Sequence, residues 1–236
     1  MKLLIDIGNT SAKIAVADND IVHVERLTGT WNEALSRLTA AYDITSARIS
    51  TVVNDTQEIH DFIGKLGVPS LWLSSNLPYP EKPLKNIPQG FGADRWAADV
   101  GAMSLSPNRP LLVIDAGTCI TYDVISSDGE FLGGAISPGV QLRLTAMHEH
   151  TARLPRIEAT DHEAAVFSHN THAAMLSSAI NGTKFEMEGY IRHLLLTYPD
   201  LHVFITGGND LSLTPDLTCP ITYTHNLVFL GLNSLP

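Results

Sequence analysis

The sequence predicts an α/β fold built from two related halves facing one cleft. Three observations carry this reading. The run Lys2-Leu3-Leu4-Ile5-Asp6-Ile7-Gly8-Asn9-Thr10 returns as Leu111-Leu112-Val113-Ile114-Asp115-Ala116-Gly117-Thr118. Each copy opens a strand-strand-strand-helix series, and a duplication is stronger evidence than either half alone. The 236 residues are 44% hydrophobic and 17% charged, enough apolar material for one large core or two smaller ones.

In the first half, residues 2–7 read as a buried strand, 12–17 as a second and 21–24 as a third, with Asp18-Asn19-Asp20 as a turn. Residues 31–42 place apolar side chains at helical spacing. Residues 48–53 then read as a strand, 56–66 as a helix and 68–73 as a short strand. Residues 76–90 contain Pro78, Pro80, Pro83 and Pro88 with little periodicity, which predicts a loop long enough to be functional. A helix begins at Gly92-Ala93-Asp94-Arg95 and runs to about Ser104.

The breaker Ser106-Pro107-Asn108-Arg109-Pro110 marks the expected boundary, giving halves of residues 1–107 and 108–236. The second meander occupies 111–115, 119–125 and 130–136, with Ser126-Ser127-Asp128-Gly129 as its turn. Gly133-Gly134 marks either a bulge or a close backbone approach. Helices follow from about 140 to 150 and from 170 to 196, then a strand from His202 to Thr206 ending in Gly207-Gly208-Asn209-Asp210. The tail, Asn226 to Asn233, reads as a short apolar helix.

The formal net charge of −10 argues against long-range attraction to nucleic acid or an anionic membrane. An anion can still bind where backbone N–H groups, a lysine and a metal ion act locally, since charges beyond about 8 Å are screened at physiological salt. Cys119 and Cys219 have neither metal-ligand spacing nor a disulfide pattern and read as free thiols. The start lacks a signal-peptide pattern, and no apolar run approaches a membrane span. A soluble, cytoplasmic protein is expected. His148, His150, His162, His169 and His172 are dense, but His148-Glu149-His150 lacks the spacing of a helical ligand pair, so solvated histidines are the reading. Trp31, Trp72 and Trp96 read as core or interface anchors.

A strand ending in Asp-x-Gly-x-Thr, or its near-copy, places a carboxylate at its tip and a tight turn after it. The following N–H groups and the threonine hydroxyl can meet a phosphate oxygen. The carboxylate repels phosphate and is suited instead to a cation, directly or through water. One such turn alone is compatible with an ordinary Asx or Thr turn. Two at matching points of duplicated meanders predict a polyphosphate held from both sides.

With those residues in view, the chain resembles the acetate kinase, sugar kinase, Hsp70 and actin superfamily, and within it is similar to the type III pantothenate kinases. Asp6-Ile7-Gly8-Asn9-Thr10 resembles that family's first phosphate motif, Gly92-Ala93-Asp94-Arg95 its substrate and base motif, and Asp115-Ala116-Gly117-Thr118 its second phosphate motif. Gly133-Gly134-Ala135-Ile136-Ser137-Pro138-Gly139, Thr151-Ala152-Arg153-Leu154-Pro155 and Thr206-Gly207-Gly208 match further segments in order. The resemblance implies two duplicated ribonuclease H-like, or actin-like ATPase, domains around a nucleotide. It implies transfer of phosphate from ATP to pantothenate, the first step of coenzyme A synthesis.

It also implies roles. Asp94 would be the general base, against the alternative of helix capping. Gly92, Ala93, Asp94 and Arg95 would line the pantothenate site, Arg95 meeting the substrate carboxylate rather than only Asp99. Asp6, Ile7, Gly8, Asn9, Thr10, Ser11, Ala12 and Lys13 would wrap the ATP phosphates, with Asp6 toward Mg²⁺ through water. Lys13 either faces the phosphates or is a solvated strand residue. Thr118 would hydrogen-bond the phosphates, and Asp115 would hold K⁺ or NH₄⁺. Thr171 resembles the family's second-domain substrate threonine, against a helix-capping alternative, and the pocket would be completed in a homodimer. One departure stands out. Relatives often carry a substrate-contacting Tyr seven residues before Gly92, where this chain has Lys85. Either the loop is shortened or another residue, such as Tyr79, serves. Competing classes are a non-catalytic regulator of gene expression, disfavoured by Asp94, and a phosphohydrolase that positions water in place of an alcohol.

Overall fold

The computed structural model describes residues 1–236 except 54, 55, 78, 81, 82, 161, 162, 210, 215 and 236. Pro78, His162 and Asp210, named above, lie outside the described residues. The chain divides into two compact units. The first holds residues 1–107, the short segment Gly129–Phe131 and the C-terminal segment from Asn226; the second holds Asn108–Asp128 and Leu132–His225.

The first unit runs β1 (Lys2–Ile7), β2 (Ala12–Ala17), β3 (Ile21–Arg26), α1 (Trp31–Ala41), β4 (Ser46–Thr51), α2 (Gln57–Leu66), β5 (Ser70–Leu73) and α3 (Ala93–Leu105). The order expected from periodicity is the order observed. The sheet order is β3-β2-β1-β4-β5, with β1 antiparallel to β2 and parallel to β4. One sheet face, carrying Leu3, Ile5, Ile14, Val16 and Ile49, packs on Leu35, Leu38, Ile59 and Ile63 of α1 and α2. α1 starts on a capping box in which Thr30 and Glu33 satisfy each other's backbone N–H groups. α2 ends at Gly67, whose φ of 70° is the left-handed stop that glycine adopts at little cost.

The second unit repeats the plan with β6 (Leu111–Ala116), β7 (Cys119–Ile125), β8 (Phe131–Pro138), α4 (Val140–Glu149), α5 (Thr171–Leu195), β9 (His202–Gly207) and β10 (Ile221–Tyr223). Its sheet order, β10-β9-β6-β7-β8, matches the first unit's strand for strand. β6 is antiparallel to β7 and parallel to β9, as β1 is to β2 and β4. Leu112, Ile114, Ile120, Val203 and Ile205 pack beneath Leu144 of α4 and Met175, Ile180, Met187 and Ile191 of α5. The last helix, α6 (Leu227–Ser234), belongs to the first unit, where it packs on α3 and on β1.

Two details differ from the expectation. β4 lies two residues earlier than expected and β5 starts two residues later, because register with β1 sets the ends of β4 and register with β4 the start of β5. β10 is only three residues long and follows Pro220, too short to show a period of its own. Gly133 resolves as a conformational requirement, with φ at 142° and open space where a Cβ would stand. Cys119 is exposed and Cys219 buried, and both are free thiols. No helix among the described residues is long and apolar enough to cross a membrane.

Candidate active site

Each Asp-led turn grows from the tip of its sheet's central strand. In the first unit Ile7 pairs with Ala12, leaving residues 8–11 as the turn. The Gly8 N–H donates to the Ser11 carbonyl at 3.0 Å. A Cβ on Gly8 would stand 3.1 Å from that oxygen, so glycine keeps the turn tight. Asp6 lies opposite Lys13 on β2 and beside Ser50 on β4. Residues directly opposite in a ladder share a face. A carboxylate, an ammonium and a hydroxyl residue therefore stand in one row, the hydroxyl fully buried. This places Lys13 beside Asp6 rather than on the face with Ile14 and Val16.

In the second unit Ala116 pairs with Ile120, so the turn is residues 117–119, one shorter. The Gly117 N–H donates to the Cys119 carbonyl at 3.0 Å. Asp115 lies between Thr121 on β7 and Thr206 on β9. The carbonyls of Ala116, Gly117 and Thr118 are taken from outside the turn. The Asn209 N–H reaches the Ala116 oxygen at 2.9 Å, and the Gly139 N–H reaches the Thr118 oxygen at 2.9 Å. Asn209 Nδ2 donates to the Gly117 oxygen at 2.8 Å. Across a planar trans peptide the N–H points opposite to the C=O. The Thr118 and Cys119 N–H groups are thus turned away from Asn209 and Gly139, the arrangement an anion-binding turn needs. Two glycines make this closeness possible. A Cβ on Gly139 would run into the Gly117 and Thr118 oxygens, and one on Gly207, at φ 100°, would stand 2.5 Å from the Ala116 carbonyl.

The Gly92–Arg95 segment forms the first turn of α3. Gly92 is the N-cap and makes no side-chain cap bond. Asp94 Oδ1 accepts the Arg95 N–H at 2.8 Å. Its second oxygen accepts no bond from a described residue, so capping uses only half of this carboxylate. A Cβ at position 92 would lie 2.5 Å from Asp94 Oδ1, so any larger residue there would push that carboxylate aside. The Arg95 guanidinium lies over the Phe91 ring, 4.4 Å from its centroid. Phe91 in turn meets Phe131 edge-on at 4.9 Å.

Tyr79 arrives at the same place from the proline-rich loop. Its hydroxyl donates to the Phe91 carbonyl at 2.6 Å, and its ring stacks on Trp96 at 5.6 Å between centroids. Burial, reinforced by the nearby Asp94 charge, pushes the phenol up to about 12. Lys85 is instead held by its backbone, bridged to Glu130 through bonds with Gly129 and Phe131. Tyr79, Leu84, Lys85 and Pro88 help line a cavity of about 690 Å³.

Thr171 is the exposed first residue of α5, and the cap is Asn170, whose side chain accepts the Ala173 N–H at 2.8 Å. The capping role open to Thr171 in the sequence is therefore filled by its neighbour. Among the described residues no cluster of His, Cys, Asp and Glu could hold a metal. Sequence reasoning gave no role to Asn209 or Gly139, though both stand in segments it singled out, and did not name Glu186. The Gly-Gly-Asn after a strand was a signal for Asn209; nothing local pointed to Glu186.

Asp115, level with Thr121 and Thr206, and Asp6, level with Lys13 and Ser50, each present a carboxylate, the oxygen ligand that hard cations take.

Two units of one plan, each ending its central strand in an Asp-led turn, define the ribonuclease H-like, actin-like ATPase fold. Structural likeness agrees on the fold. A protein of the Baf family of transcriptional activators from Campylobacter jejuni superposes with a TM-score of 0.59 at 23% identity, covering 98% of this chain and 95% of that one. The activator of the 2-hydroxyisocaproyl-CoA dehydratase from Clostridium difficile, with bound ADPNP, superposes with a TM-score of 0.52 at 14% identity over 98% and 92% of the two chains. The model of the type III pantothenate kinase family matches residues 2–193. A type III pantothenate kinase of Phocaeicola vulgatus is 39% identical over all of this chain and 97% of its own length. The chain belongs to the type III pantothenate kinase family.

Proposed function

We propose that the chain transfers the γ-phosphoryl group of ATP to the primary hydroxyl of pantothenate, with Asp94 as general base. The observation that carries this is the first turn of α3. There one carboxylate oxygen is held by the Arg95 N–H while the other is left to meet a hydroxyl. Phosphoryl transfer needs positioning and charge neutralisation more than covalent chemistry. Asp94 takes the alcohol proton as the new O–P bond forms, and the bond to the β-phosphate oxygen breaks, releasing ADP. Arg95, braced on Phe91, pairs its forked donors with the pantothenate carboxylate. Tyr79 takes the place of the tyrosine missing at position 85 and walls the pocket beside Asp94.

The Asp6–Lys13 turn wraps the phosphates, and Lys13 offsets their charge. Thr118 donates to a phosphate oxygen from the second turn. Asp6 would hold Mg²⁺ through water, and the bound ion would supply neutralisation of charge on the transferring group. Asp115 would hold K⁺ or NH₄⁺. Thr171 completes the substrate pocket in a homodimer, and the enzyme works in the cytoplasm on small molecules, not on nucleic acid or membrane.

The test is ADP release with and without pantothenate, in K⁺ and then in Na⁺. Pantothenate-dependent release that requires K⁺ supports the reading. ATP loss indifferent to pantothenate would replace it with a hydrolase, and pantothenate-dependent release equal in Na⁺ would remove the monovalent cation from Asp115.

A further inference from the structure

We propose that Glu186 is a positioning residue for the second phosphate turn, acting through Ser137, Arg143 and Gly139. The proposal rests on reading residues 115–118 as an ATP phosphate turn.

Glu186 sits midway along α5, and its carboxylate is the meeting point of three side chains. Oε1 accepts the Tyr122 hydroxyl at 2.7 Å and the Ser137 hydroxyl at 2.5 Å. Oε2 accepts Arg143 Nη2 at 2.5 Å. Arg143 then reaches back with Nε to the Pro138 carbonyl at 2.7 Å, while its own N–H donates to the Gly139 carbonyl at 3.0 Å. One carboxylate thereby fixes the chain on both sides of Pro138: the hydroxyl before it, and the carbonyls of Pro138 and Gly139 through one arginine. The next contact is the phosphate turn, where the Gly139 N–H donates to the Thr118 oxygen at 2.9 Å. With no room for a Cβ between Gly139 and that turn, a displacement of residues 137–139 passes to residues 117 and 118.

Energetics argue for more than packing. Burial alone drives the Glu186 carboxyl upward, and the bonds from Ser137, Arg143 and Tyr122 more than reverse this, leaving it below the ordinary range. An apolar residue of similar volume would fill a half-buried site without that desolvation cost. Of the three bound partners, Ser137 lies on the segment that touches the phosphate turn, and Arg143 lies one helical turn beyond that segment. A charged fixed point is what such a segment needs at the end of an edge strand, where only one neighbour strand restrains it.

The experiment uses the full chain as wild type, Glu186→Gln and Ser137→Ala. Ser137→Ala deletes one hydroxyl and decides the matter if Glu186→Gln does not fold. Mg-ATP affinity is measured by calorimetry, the KM values for ATP and pantothenate separately, and hydrogen exchange at the amides of residues 117–120. Glu186→Gln is expected to weaken Mg-ATP about tenfold and Ser137→Ala about threefold, from the ordinary worth of lost hydrogen bonds to a charged group. The KM for pantothenate stays within about twofold of wild type, and exchange at residues 117–120 quickens in both variants. Exchange and Mg-ATP affinity equal to wild type in a folded variant would overturn the role of Glu186. So would an equal rise in both KM values. If wild type itself binds no Mg-ATP, the phosphate reading of the turn is lost, and unchanged exchange in the variants still decides whether Glu186 positions it.

Discussion

Gly231 of α6 lies flush against Ala97 of α3, so that a Cβ on Gly231 would overlap the Ala97 carbonyl oxygen. The contact is reciprocal: a Cβ on Gly101 of α3 would overlap the Leu227 carbonyl of α6. The two helices meet backbone to backbone. Lys2 fastens the far end, its amine donating to the Asn233 oxygen at 2.6 Å and the Leu235 oxygen at 2.8 Å. A cation on the last carbonyls of a helix satisfies groups with no partner inside the helix and opposes its dipole. α3 carries Asp94, so this docking also sets where that carboxylate stands.

Gly231→Ala is therefore expected to destabilise the chain by about 1–3 kcal/mol, the usual range for overpacking, although alanine is the better helix former. Urea unfolding measures it. A midpoint equal to or above wild type would show that α6 can withdraw at no cost.

Asp94→Asn keeps the shape of the side chain and the bond from the Arg95 N–H, but the amide cannot take a proton. Turnover is expected to fall by about 10²–10⁴, the span of general-base contributions, with Mg-ATP affinity unchanged. Steady-state kinetics beside calorimetry separate the two. A kcat near wild type would remove Asp94 from the reaction.

Asn209→Ala releases the Gly117 carbonyl while leaving the backbone bond from residue 209 to Ala116 in place. One neutral hydrogen bond is worth about 0.5–1.5 kcal/mol, so the KM for ATP is expected to rise about three- to tenfold with the KM for pantothenate little changed. A rise confined to pantothenate would contradict the assignment of the turn to phosphate.

Tyr79 has a folded-state pKa raised to about 12 from 10.0, so the folded chain holds this proton more tightly than the unfolded one. The linked stability is complete below pH 10 and is lost as pH rises toward 12. Tyr79→Phe keeps the ring on Trp96 and removes the titration. Its unfolding midpoint should therefore fall less steeply than that of wild type over this window. Parallel curves for the two proteins would place Tyr79 in a more solvated setting.

The Glu186 carboxyl titrates in the opposite sense. Its folded-state pKa is lowered, so its contribution is present above the ordinary carboxylate range and lost as pH falls through the folded value. Glu186→Gln should flatten the acid limb of the stability profile, read by urea midpoints below pH 5. An acid limb as steep as that of wild type would show that other carboxylates set it.

The strands of both meanders and the order of helices in the first half were legible because each depends on local periodicity. The Asp-x-Gly-x-Thr turn and its near-copy at 115–118 were legible because a tight turn after a buried strand demands particular residues in sequence. Position 92 was also readable as glycine in a motif, but the reason for it, the Asp94 carboxylate filling the space of a Cβ, was not. The position of Lys85 shows the limit of reading by alignment to a motif. The phenol that reaches the start of α3 comes from Tyr79, six residues earlier, by way of a loop without periodicity.

By itself the sequence determined the doubled α/β plan, the two turns and the family, since each is written in short-range patterns of apolar spacing and small polar residues. The tertiary structure alone decided that the last helix returns to the first unit, that Asn209 and Gly139 tie back the second turn, and that Glu186 stands behind it. Those are contacts between backbones and side chains distant in sequence. They arise from close packing, which a pattern along the chain does not encode.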